Sequence, residues 1–117
     1  MEQDTPRRGK TTIAPEALVT IAKLATLAVP GVARMGSVPG GVNRWFRRGI
    51  ADGVQIQVAE NSVTAALHLI VTSGQNVREV SHNVQAEVSR AMQEMVGMDV
   101  AAVNVFIEDV SYDKEHV

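Results

Sequence analysis

The sequence predicts an α/β (α+β) fold, a two-layer sandwich with a sheet of about four strands and two helices on one face. Three observations carry this. Val77, Val80, Val84, Val88, Ala91, Met92 and Met95 are spaced mainly by three and four residues, which at about 100° per residue makes one apolar stripe on a helix. Val54, Ile56 and Val58, then Val63, Ala65, Leu67, Leu69 and Val71, alternate with more polar neighbours across Glu60-Asn61-Ser62, the pattern of two half-buried strands joined by a turn. Val103, Val105 and Ile107 repeat that alternation after the helix.

In chain order, residues 1–10 are polar, and Arg7, Arg8 and Lys10 follow Pro6; a flexible basic tail is expected. The folded unit is expected over residues 11–110. Thr11 to Ile13 reads as a short strand entering the first helix. Pro15 suits a first helical position and Glu16 the positive end of the helix dipole. Leu18, Ile21, Ala22, Ala25, Ala28 and Val29 form the expected core face, and Pro30-Gly31 stops the helix. The far side is only half polar: Val19, Leu24 and Leu27 stand there beside Glu16, Thr20 and Lys23. That side fits either a contact surface for another chain or a helix buried on two sides.

Val32 to Met35 reads as a brief strand. From 36 to 49 the composition changes to Gly, Pro and Ser followed by Arg44, Trp45, Phe46, Arg47 and Arg48. Arg and Trp together suit interfaces, because the indole is amphipathic and guanidinium groups stack or fork onto anions. Three uses of this irregular segment are open: docking a protein, touching anionic phosphate, or folding back over the core. No Gly-Lys-Ser/Thr follows its glycines, so it is not a P-loop.

The hairpin's second strand is the longest and is expected at the centre, with Ile70 and Ala66 on its outer face. The stretch Gln75 to Gly97 forms the second helix, with Gly97 as a left-handed C-cap. Glu87–Arg90 and Arg90–Glu94 are helix neighbours of opposite charge, each pair contributing about 0.2–0.5 kcal/mol. The last strand turns Phe106 outward near Ile70, so these two suggest an association surface. Residues 111–117 are a polar tail.

Composition bounds the function. The 117 residues suit one domain, and 11 Lys plus Arg against 13 Asp plus Glu argue against a generally basic nucleic-acid binder. There is no cysteine, hence no disulfide or thiolate chemistry. No apolar run reaches the roughly 18 residues of a membrane span, and no signal-peptide core is present. A soluble, intracellular chain is expected. His68, His82 and His116 lack metal-ligand spacing, no serine sits in a nucleophile elbow, and Glu108 and Asp109 are expected on opposite faces of a strand. No catalytic residue, cofactor site, metal site or small-molecule substrate is expected.

Three blocks then stand in order: Thr12-Ile13-Ala14-Pro15-Glu16-Ala17-Leu18 with Val29-Pro30-Gly31-Val32; Gly53-Val54 with Leu67-His68-Leu69-Ile70-Val71 and Gly74; and Val77, Val84-Gln85, Val88, Met95, Gly97 with Val103-Asn104-Val105. In their order and spacing they resemble the alkaline-shock (general stress) protein family of bacterial envelope stress response proteins. The resemblance implies two helices on one side of a mixed sheet. It also implies a cytoplasmic, non-enzymatic protein that forms homo-oligomers and, in some members, is held at the membrane by a separate membrane-anchoring protein. The family has no established catalytic residues to carry over. The Arg44–Arg48 segment falls in the family's variable region.

The expected function is therefore a structural or scaffold protein held near the inner face of the membrane by a partner. Val19, Leu24, Leu27, Arg44, Trp45, Phe46, Arg47, Arg48, Ile70 and Phe106 are the candidate partner-binding residues. A small RNA- or DNA-binding module using the Arg44–Arg48 loop, with Trp45 for stacking, is the alternative. It ranks behind because the sheet lacks an aromatic pair.

Overall fold

The computed structural model describes residues 12–37 and 50–112. Helix α1 (Pro15–Leu27) begins with proline at its first position after an extended Ala14, where a missing N–H costs nothing. The three residues before it, 12–14, pair with no strand, so the entry strand expected there is absent from the described part. Leu18, Val19, Ala22, Ala25 and Thr26 are buried. Val19, expected on the outer side, is only 5 % exposed, and Ala28, expected in the core, is exposed. α1 touches both the sheet and the second helix, so its buried arc is wider than one stripe and extends toward Val19 and Thr26. The buried Thr26 hydroxyl donates to the Ala22 carbonyl at 2.8 Å, which satisfies it inside the core.

Five strands follow: β1 (Val32–Met35), β2 (Ile50–Ala51), β3 (Val54–Ala59), β4 (Ser62–Thr72) and β5 (Asp99–Ser111). β4 is central, as expected. One side carries β5, parallel from Ser62↔Asp99 to Thr72↔Ser111. The other side is shared by two antiparallel strands. β3 pairs from Val54↔Leu67 to Ala59↔Ser62, and β1 from Val32↔Val71 to Met35↔Leu69. β2 adds a two-residue edge on β3. The sheet is mixed, and this short edge strand, too brief to alternate visibly, brings the count to five rather than about four.

Helix α2 (Val77–Ala91) connects β4 to β5. The Asn76 side chain accepts the Glu79 N–H at 3.1 Å, relieving one of the four unpartnered donors of the first turn. Val80, Val84, Val88, Ala91 and Met92 are buried. The helix closes in a π turn, Met92–Val96, and Gly97 caps it at φ 70°. The wider π repeat carries Met95 off the stripe into solvent. Arg90 pairs with Glu94 at 2.8 Å and with Glu87, as the spacing predicts. Both helices pack on one face, over Val54, Ile56, Val63, Ala65, Leu67, Leu69 and Val71.

Candidate interaction surface

The sheet face away from the helices is organised around His68. Its carbonyl accepts the Gly36 N–H at 2.6 Å, and its N–H donates to the Gly53 carbonyl at 2.8 Å. The Gly36 end of β1 therefore abuts the Gly53 start of β3, with the short β2 lying just before Gly53 on the return. Gly53 has φ +81°, and a Cβ there would lie 2.8 Å from the Gly36 carbonyl oxygen and 2.9 Å from that of His68. Only glycine fits this seam.

The His68 side chain is buried, although it points away from the helices. The register sets it opposite Phe106, and the two rings stack with centroids 4.8 Å apart and planes at 18°. Its Nδ1 lies 2.8 Å from Glu108 Oε2; a carboxylate only accepts, so the ring nitrogen donates. Glu108 Oε1 accepts the Ser37 N–H at 3.1 Å. These two hydrogen bonds, the Ser37 amide first, hold the Glu108 carboxyl below its usual range. The bonds are possible because Glu108 is an extra residue in β5: Ile107 pairs with Leu69 and Asp109 with Ile70. This bulge breaks the strict alternation expected for Glu108 and Asp109.

The cluster clamps the chain where it leaves the sheet. On the return, Lys23 reaches Asp52 at 3.2 Å, a largely solvated pair of small energetic weight. Arg44, Trp45, Phe46, Arg47 and Arg48 lie outside the described residues, and with them the nucleic-acid alternative. Among the other candidates, Leu24 is 61 % exposed, Leu27 39 % and Phe106 47 %. Ile70 is half-buried. Val19, in the core, is unavailable to a partner. The exposed candidates do not form one patch: Leu24 and Leu27 belong to the helix layer, Phe106 and Ile70 to the opposite sheet face. Phe106 packs on His68 rather than Ile70.

The His68–Glu108–Ser37 cluster has no local signature in sequence. His68 and Glu108 lie 40 residues apart, and only the parallel register brings them together. The one legible sign is that His68 falls on the strand face opposite the leucines.

Two open grooves flank α1. One of about 350 Å³ lies against Val29, Pro30, Asn83 and Glu87. The other, about 340 Å³, lies against Ile13, Val58, Glu60 and Met98. Each has one carboxylate in its lining, so neither offers a paired acid and base. Among the described residues no three His, Asp or Glu side chains are grouped to hold a metal. Among them, too, no helix is long and apolar enough to cross a membrane.

Residues 3–112 match the model of the Asp-23 family, whose description is cell envelope-related function. The chain is 28 % identical over 115 residues to the uncharacterized protein YqhY of Bacillus subtilis (97 % of this chain, 85 % of that one). It is 30 % identical over 107 residues to the uncharacterized protein Spy1535 of Streptococcus pyogenes serotype M6 (91 % and 82 %). Among solved structures, a cysteine-to-serine variant of MamM CTD superposes with a TM-score of 0.50 at 17 % identity, over 80 % of this chain and 94 % of that one. At that identity the likeness concerns the fold alone.

Proposed function

The chain belongs to the Asp-23 family, the alkaline shock proteins of cell envelope-related function, and from that membership we propose a non-catalytic scaffold of the bacterial envelope stress response. In this reading the protein is cytoplasmic, associates with itself, and is held at the inner face of the membrane by a protein partner. One observation supports it above the others: Phe106 is 47 % exposed on the sheet face opposite the two described helices. An aromatic ring fixed on its neighbour is a low-entropy contact element, the kind of group enriched at interface centres.

The test combines sedimentation velocity over a wide concentration range with fractionation of cells expressing the protein. The expected result is a concentration-dependent assembly, together with membrane co-sedimentation that is lost when integral membrane proteins are stripped from the vesicles. A strict monomer that stays in the supernatant overturns the proposal. Substrate turnover by the purified chain overturns its non-catalytic part.

A further inference from the structure

We propose that the free edge of β5 pairs antiparallel with β5 of a second copy, joining two sheets into one; the inference rests on the self-association proposed above and names its surface. Among the described residues β5 is paired on one side only, with β4. Its backbone direction can be followed. The Asp99 N–H donates to Asn61, and the Ser111 carbonyl accepts from Ser73, both on the β4 side. Ala101 and Glu108 are the two extra residues of the strand. Strand alternation between them turns the amides and carbonyls of Val103, Val105 and Ile107 to the open edge. Gln85 Nε2 reaches the Val103 carbonyl there at 3.2 Å. A carbonyl has two lone pairs, so that oxygen can still accept a second bond.

An unpaired edge of this length is ordinarily protected by charge or irregularity. Here both devices sit at the ends. Asp99, Glu108 and Asp109 flank the stretch Ala102–Ile107, which has no charged residue and lies between the bulges. About a two-fold axis at Val105, Val103 faces Ile107 of the second copy and Asn104 faces its Phe106. Glu108 faces Ala102, so no carboxylate opposes another. The two Phe106 rings become diagonal neighbours, within aromatic reach. On the helix side Val103, Val105 and Ile107 are only half-buried against the core. A second copy continues that apolar row across the seam.

The test uses the full chain. Because it has no cysteine, Asn104→Cys and Gln57→Cys each take a single pyrene label. Excimer emission is expected from Asn104→Cys and none from Gln57→Cys, which sits two strands away on β3. Val105→Pro removes an edge N–H without removing a β4 bond, and raises the dissociation constant tenfold or more. If the wild type associates but Asn104→Cys gives no excimer, or a folded Val105→Pro associates like wild type, the edge pairing is wrong and self-association stands. If Val105→Pro does not fold, the pyrene pair decides alone. A wild-type monomer at all concentrations overturns both.

Discussion

Gly53→Ala tests the seam at His68. The added methyl meets two costs. The first is the backbone: φ +81° is left-handed, and a non-glycine residue there costs about 1–2 kcal/mol. The second is steric. The Cβ would stand 2.8 Å and 2.9 Å from two carbonyl oxygens, and both oxygens belong to backbone fixed in the sheet, so neither yields as a side-chain end would. Overpacking of this sort typically costs about 1–3 kcal/mol. Gly97→Ala is the control. Its φ is +70°, and nothing lies within 4 Å of the added atom. It therefore meets the first cost alone, and the loss of unfolded-chain entropy is common to both variants. Urea denaturation followed by circular dichroism should show Gly53→Ala destabilised by about 1–3 kcal/mol more than Gly97→Ala. A difference under about 0.5 kcal/mol, within extrapolation error, would mean that β1 and β3 do not abut at Gly36 and Gly53.

Glu108→Gln weakens the clamp on Ser37 and His68 and costs about 1 kcal/mol at neutral pH. Because folding lowers the Glu108 pKa, its contribution is complete above the unfolded value and fades as pH falls through the folded one. Denaturation curves of wild type and Glu108→Gln should therefore converge in acid; a gap that is constant down to pH ~3 contradicts this. Asn76→Ala removes the cap on the Glu79 N–H and should cost about 1 kcal/mol by urea titration, with most of it recovered in Asn76→Ser. Leu67→Ala, at a site with 0 % exposure, should cost about 2–5 kcal/mol. Leu24→Ala, at 61 % exposure, should stay within about 0.5 kcal/mol in the same assay.

The parts legible in the sequence were those set by a local period. The stripe of α2, its Gly97 stop and the β3–β4 hairpin follow from apolar spacing and turn residues alone. Other features depend on partners distant in sequence. The period of α1 gives a direction for one stripe, but not the breadth of its buried arc; contact with both α2 and the sheet set that, and drew in Val19 and Thr26. The bulges at Ala101 and Glu108 lie on either side of the alternating run Val103, Val105 and Ile107, so that run contains neither of them. The Gly36–Gly53 seam joins residues on either side of the 38–49 segment, so no window of sequence contains it. The site residues divide the same way: exposure at Leu24 and Phe106 follows from strand and helix phase, whereas the His68–Glu108 bond needs the register of two parallel strands.

One topological choice connects the core to the exposed edge. Parallel pairing of β4 and β5 requires a crossover, and α2 is that crossover. The helix must bury Val80, Val84 and Val88 while starting at one end of β4 and ending at the start of β5. The two helices together leave Leu67 and Leu69 of β4 with no exposure, whereas Val103, Val105 and Ile107 of β5, where α2 is the helix in contact, stay half-buried. A second helix beyond β5 would close that margin, as α1 does beyond β4 over β3 and β1. None follows β5 among the described residues, so the apolar layer runs out to the strand whose outer edge pairs with none of them. Sealing a sheet margin of this kind calls for another strand or another molecule, and the uncharged stretch from Ala102 to Ile107 is where either would be received.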